Sequence, residues 1–125
     1  MSKPTNKSAS FINPGGIIEL HAEGPSTKTA ATKNVENLIK LAEEIKAQGK
    51  PILILIDAEG ITSTTKASRR TVLGGMMSIP HTKVAFYGPD PVIIMVNTLA
   101  KVVSKNDTIC VFDNRADALK WLREK

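Results

Sequence analysis

The sequence predicts an α/β domain: a mostly parallel central sheet flanked by helices, in the order β-β-α-β-α-β-α-β-α. Three observations carry that reading. Ile52-Leu53-Ile54-Leu55-Ile56 is continuously apolar, the pattern of a strand covered on both faces, as in a parallel sheet. Strand-like and helix-like segments alternate along most of the chain, which implies right-handed crossover units. Aliphatic residues dominate a 42% hydrophobic composition that is only 4% aromatic, and such residues fill buried parallel strands.

Each element has its own local signal. Residues 1–9 are polar and read as a frayed tail, leaving 10–125 as a single domain of ordinary length. Ser10-Phe11-Ile12 and Ile17-Ile18-Glu19-Leu20-His21-Ala22 flank the turn sequence Asn13-Pro14-Gly15-Gly16, so they form two antiparallel strands. A helix follows from Ser26 or Thr27 to Gln48. Val35, Leu38, Ile39, Ala42 and Ile45 recur at helical spacing, and Gly49 supplies the stop. The apolar strand 52–56 ends at Asp57, and residues 58–65 read as a polar loop. A weaker helix spans about Thr65 to Met77, and Lys83-Val84-Ala85-Phe86-Tyr87 is the next strand. Asp90 caps a helix with Pro91 at its first position that runs to about Ser104. Thr108 to Phe112 is the last strand, and Asp113 or Asn114 caps a final helix through Trp121.

Charge and composition exclude several classes. The net charge is +5, with seven Lys against five acids in residues 1–50 and ten Lys or Arg against seven acids in 51–125. The excess is diffuse and lacks interleaved aromatics, so no nucleic-acid stripe is expected. No apolar run reaches the ~20 residues of a spanning helix, and the first ten residues lack the apolar stretch of a signal peptide. No integral membrane association is therefore expected. A single Cys110 fits a reduced, cytoplasmic protein. His21 and His81 lie sixty residues apart and Cys110 has no partner at short spacing, so no metal site is expected. Phosphate-binding glycine loops, dinucleotide fingerprints and nucleophile elbows are missing, and no cofactor is expected. Asp57 and Glu59 could serve as acid and base, but paired carboxylates at a strand end are too common to carry a reaction. The chain reads as a non-enzyme.

Two features point to binding. The segment Asp57-Ala58-Glu59-Gly60-Ile61-Thr62-Ser63-Thr64-Thr65 follows the buried strand, where ligands and partners meet parallel sheets. It leads into a helix start that favours anions and carries Lys66, Arg69 and Arg70. Glu59, Thr62, Ser63, Thr64, Thr65, Lys66, Arg69 and Arg70 are the expected partner-binding residues. The second feature is the helix over 91–104. Val92, Val96, Leu99 and Val103 form its core stripe, yet Ile93, Met95, Ala100 and Val102 widen the arc and Ile94 lies opposite. That arc is roughly half the circumference, wider than a core-facing helix needs, and the surplus points to a second subunit or a greasy ligand.

The second half of the chain resembles a known family. Lys83-Val84-Ala85-Phe86-Tyr87-Gly88 before a helix, then Val111-Phe112-Asp113-Asn114 and Ala116-Asp117-Ala118-Leu119-Lys120-Trp121-Leu122, is similar to small stand-alone SpoIIAA-like proteins. These have the STAS fold of anti-sigma-factor antagonists. Ser68-Arg69-Arg70 also stands where those proteins carry a small residue followed by basic ones, and the likeness covers about 11–125. The resemblance implies a regulatory module that docks a protein partner. The antagonists place Asp-Ser-Ser-Gly at the start of the second helix, and a partner kinase phosphorylates one serine. Laid on Ile56-Asp57 without gaps, that motif falls on Thr65, Lys66, Ala67 and Ser68. The motif is absent and its phosphorylated position is Ala67, so Ser63, Thr64 or Ser68 are the hydroxyls that a shifted alignment would use. SpoIIAA-like sequences are also grouped with CRAL-TRIO lipid-carrying domains. This implies an alternative, a carrier or sensor of a small apolar ligand, with Met76, Met77, Ile93, Ile94 and Met95 near the pocket or at a homodimer surface.

Overall fold

A computed structural model describes residues 8–79, 83–88 and 108–124. The elements in chain order are β1 (Ala9–Ile12), β2 (Ile18–Ser26), α1 (Lys28–Ala47), β3 (Leu53–Thr64), α2 (Lys66–Ser78), β4 (Lys83–Tyr87), β5 (Ile109–Phe112) and, labelled α3 here, the helix Arg115–Arg123. The expected helix over 91–104 lies outside the described residues. The five strands form one sheet in the order β1-β2-β3-β4-β5. β1 pairs antiparallel with β2, and every other pairing is parallel. The mixed sheet with one antiparallel edge strand is the architecture that the apolar run and the alternating elements predict.

Side chains of alternate residues on a strand face opposite sides of the sheet, and the core divides accordingly. Ile18, Leu20, Ile54, Ile56, Val84 and Phe86 pack with Leu38, Ala42 and Ile45 of α1 on one face. Ile17, Leu55, Ala85 and Tyr87 pack with Ala118 and Leu122 of α3 on the other. Residues 52–56 have no polar member because both faces are roofed.

The strand β3 is longer than its apolar run. The stretch expected as a polar loop, 58–65, continues instead as strand to Thr64 and pairs with an equally extended β2. Glu23 lies opposite Gly60, Gly24 opposite Ile61, Pro25 opposite Ser63 and Ser26 opposite Thr64, with register shifts at His21/Glu23 and Gly24/Pro25. The physical reason lies in the β-branched Ile61, Thr62 and Thr64, which suit a pleated surface, and in glycines that let the two backbones stay close. A Cβ on Gly60 would come within 2.9 Å of the Ala22 carbonyl oxygen. Gly24 takes a φ of +86°, a backbone state that favours glycine.

Caps fix the helices that border this region. Thr27 caps α1. Thr65 and Ser68 form a capping box on α2, each side-chain oxygen accepting the other's backbone N–H at 3.0 Å. Asn114 accepts from the backbone N–H of Asp117 at the start of α3. At the far end of α3, the Lys83 ammonium donates to the carbonyls of Trp121 and Glu124, each at 2.8 Å. It also lies 4.9 Å from the centre of the Trp121 ring. These contacts hold α3 against the sheet and so set the position of its first residue, Arg115.

Candidate functional site

On the face that α3 covers, a polar cluster replaces the aliphatic core. It begins in the β1–β2 turn. Asn13 accepts the backbone N–H groups of Gly15 and Ile17 through its Oδ1, which leaves its amide nitrogen to donate to Glu19 Oε2 at 2.8 Å. Glu19 lies between Ile18 and Leu20 on β2 and is only 3% exposed. Arg115 reaches it from α3 with two bonds, Nη1 to Oε1 at 2.5 Å and Nη2 to Oε2 at 3.0 Å. This two-pronged geometry is the strong form of a carboxylate–guanidinium pair.

Two residues along β2, on the same face, His21 extends the cluster. Its Nε2 lies 2.9 Å from Glu19 Oε1 and its Nδ1 lies 2.8 Å from Asp57 Oδ2. Asp57 is the register partner of His21 on β3, and Tyr87 is the register partner of Asp57 on β4. The Tyr87 hydroxyl interacts with both Asp57 and Arg115, closing a circuit from β2 through β3 and β4 to α3. Phe11 of β1 stacks on the imidazole with ring centres 5.7 Å apart.

The electrostatics follow from these contacts. The Arg115 guanidinium is the largest influence on Glu19; it overcomes the opposing effect of burial and, with Asn13 and His21, lowers the carboxyl pKa to about 2. Glu19 in turn raises the Arg115 pKa, with Tyr87 adding to the shift. Burial alone would lower the His21 pKa, but the bonds to Asp57 and Glu19 outweigh it and the net shift is upward. Burial raises the Tyr87 hydroxyl, with Arg115 opposing. Two carboxylates, which only accept, face both ring nitrogens, an arrangement that an imidazolium, donating from both, satisfies in full. With no ring lone pair exposed, His21 in this state holds a proton and is not placed to abstract one.

The residues anticipated for partner binding sit along β3 beyond Asp57 and at the start of α2. Glu59, Thr62, Ser63, Thr65, Lys66 and Arg70 are exposed, and Thr64 and Arg69 are half-buried. Arg69 Nη1 donates to Thr64 Oγ1 at 2.9 Å, which ties the helix to the strand end. Ser68 differs from its neighbours. It is 1% exposed, and its hydroxyl donates to the Thr65 carbonyl at 2.9 Å while accepting the Thr65 N–H. Asp57 Oδ1 accepts the backbone N–H of Glu59 at 2.9 Å. Ile93, Ile94 and Met95 lie outside the described residues, as do the side chains of Met76 and Met77. Among the described residues, no group of three His, Cys, Asp or Glu is placed to hold a metal ion, and no helix is long and apolar enough to cross a membrane.

The sequence signals for the polar cluster were Glu19 and His21 alternating with apolar residues on one strand, and a cation at the first position of the last helix. A model of the family described as Domain of unknown function (DUF7793) matches residues 18–125. The chain belongs to the DUF7793 family. That match spans β2 to α3 and so includes Glu19, His21, Asp57, Tyr87 and Arg115. No curated protein matches the chain in sequence. Solved structures share the DUF7793 chain's fold, among them the following two. One is an uncharacterized protein of the DUF3478 family with a SpoIIAA-like fold from Shewanella loihica PV-4, 20% identical, with a TM-score of 0.69 over 98% of each chain. The other is the anti-sigma factor antagonist SpoIIAA in its unphosphorylated form, 16% identical, with a TM-score of 0.58 over 94% of this chain and 99% of that one. The fold of this DUF7793 chain is therefore STAS/SpoIIAA-like.

Proposed function

We propose that the chain is a non-catalytic STAS-like module that docks a protein partner through the carboxyl-terminal stretch of β3 and the start of α2. One observation carries this reading: β3 runs beyond the buried centre of the sheet and presents Glu59, Thr62 and Ser63 from a backbone that β2 holds in place. It then passes through the Thr65–Ser68 capping box into the exposed Lys66 and Arg70. A platform ordered before binding loses less conformational freedom on docking than a flexible loop would. Its mixture of carboxylate, hydroxyls and cations suits a polar protein surface. The fold shared with a protein named as an anti-sigma factor antagonist supports a regulatory role.

The hydroxyls divide by geometry. Ser68 serves the cap. Thr64 lies beside Arg69, so a phosphate there would stand next to that guanidinium and alter docking through charge, whereas Ser63 is exposed on its own.

The test is a paired substitution, Arg69→Ala with Arg70→Ala, read by affinity capture from the source cell's lysate and by thermal melting. Arg69 contributes a partly exposed hydrogen bond, so the variant should melt within about 4 °C of the parent. The specifically captured protein should be lost. Unchanged capture by a folded variant would remove this surface from consideration.

A further inference from the structure

Resting on the docking surface just described, we propose that protonation of His21 governs the conformation of that surface. The imidazolium clamps β2 to β3, and the neutral ring lets the β3 extension go.

A neutral ring could not keep both contacts. It has one N–H, so its other nitrogen would turn a lone pair toward a carboxylate oxygen. One of the two contacts must then give way. Glu19 cannot readily turn aside: it is buried, and Asn13 and both terminal nitrogens of Arg115 hold it. Asp57 is freer. Its side chain is 20% exposed against 4% for Glu19, so the His21–Asp57 contact is the one that yields.

The place of that contact gives it leverage. His21 and Asp57 are register partners, and the ladder slips immediately beyond them, at His21/Glu23 and again at Gly24/Pro25. The bridge is therefore the last side-chain tie before two irregularities, and the β3 segment beyond it carries Glu59, Thr62 and Ser63. Asp57 also positions the first residue of that segment directly, by accepting the Glu59 backbone N–H at 2.9 Å. An Asp57 that swings away loosens both attachments together.

The surroundings favour a ring that titrates. The His21 side chain is 36% exposed, so solvent protons reach it. Among the described residues, the charged groups against it are Glu19 from its own strand and Asp57 from β3. Arg115 of α3 acts through Glu19, Tyr87 of β4 acts through Asp57, and the Phe11 ring of β1 lies against the imidazole face. An aromatic face attracts a cation. Burial pulls the His21 pKa down and the two carboxylates outweigh it, for a net rise above 6.5, so the change of state lies above the ordinary imidazole value.

The test needs no partner. Ring-nitrogen and backbone-amide NMR spectra of the whole protein would be followed from about pH 5 to about pH 9, with His81→Asn used to assign the two histidine rings. At the low end both His21 nitrogens should carry protons. The amides of Glu59, Gly60, Ile61 and Thr62 should shift with the same midpoint as the ring. Asp57→Asn should lower that midpoint by about one unit or more and abolish the linked amide shifts. A His21 that is neutral throughout this range overturns the proposal, and so does a ring that titrates while those four amides stay still. Both readings come from the unsubstituted protein, so they hold even if Asp57→Asn fails to fold. The loss-of-capture test on Arg69 and Arg70 is independent, and either proposal can fail while the other stands.

Discussion

Glu19 concentrates the energetic stakes of the polar cluster. Removing a carboxylate from water costs several kcal/mol, and the cost is offset only when every lone pair is answered. Here Asn13, His21 and Arg115 supply the answers. Neutralising Glu19 leaves the partly exposed Arg115 and His21 cations without their shared counter-ion and breaks the buried hydrogen-bond set. Glu19→Gln puts an amide N–H₂ against donors, and it should lower unfolding free energy by about 3 kcal/mol in urea titrations. Replacing both partners with apolar side chains, as in Glu19→Leu with Arg115→Met, should cost less than the sum of the two single changes. A double variant that loses the full sum would show that the pair does not act as a unit. The cluster was only partly legible in the residues. Alternation along β2 places Glu19 and His21 on one face, which a strand with a solvated side would explain equally well. What decides otherwise is α3, whose first residue is a cation at the positive end of a helix dipole. That position costs a few tenths of a kcal/mol, and the bond to Glu19 accounts for it. Sequence separation hid the pairing, since the two residues lie 96 positions apart.

At the scale of elements, α2 shows how packing overrides propensity. Gly74 and Gly75 are adjacent glycines, and a glycine inside a helix costs about 1 kcal/mol relative to alanine. At Gly75 the cost has a cause. A Cβ there would lie 2.6 Å from both Cγ atoms of Val35 on α1, and the stiff branched side chain cannot turn both methyls away. Gly75→Ala should therefore destabilise by about 1–3 kcal/mol despite its better helix propensity. Val35→Ala in the same chain should recover part of that loss, because it removes the obstructing methyls. A Gly75→Ala variant that melts higher than the parent would refute the close approach of α1 and α2. The elements themselves were largely legible: strand 52–56 from its unbroken apolarity, α1 from its stripe, and the last helix from Asn114. The β3 extension was not, because Thr, Ser and Gly at 60–64 suit a loop as well as an edge of sheet. Pairing with β2, a tertiary fact, decides between them. The same holds for Ser68, which reads as one more hydroxyl in a polar run until the capping box assigns it.

For the molecule as a whole, the cluster sets how stability depends on pH. The folded state holds Glu19 ionised down to about 2 from a reference of 4.5. Between those values the unfolded chain binds more protons, so stability falls as the solution is acidified through that window and is fully present above it. The burial of Glu19 gives this limb a size on the order of 2–3 kcal/mol. His21 acts in the opposite direction. Its pKa is raised from 6.5 in the folded protein, so its contribution is complete below 6.5 and is lost as pH climbs through the folded value. The ring is more than a third exposed, which holds that limb to under about 1 kcal/mol. Tyr87, raised from 10.0, adds a decline of the same sign at strongly alkaline pH. Stability should therefore peak between about pH 4.5 and about pH 6.5. Urea denaturation at about pH 3, 5.5 and 8.5 would measure both limbs. Glu19→Gln should remove most of the acid limb. His21→Gln should flatten the decline above neutrality and leave most of the acid limb in place, because Arg115 still grips Glu19 without the imidazole. If the parent protein grew more stable from pH 5.5 to 8.5, the imidazolium could not be the tie that joins β2 to β3.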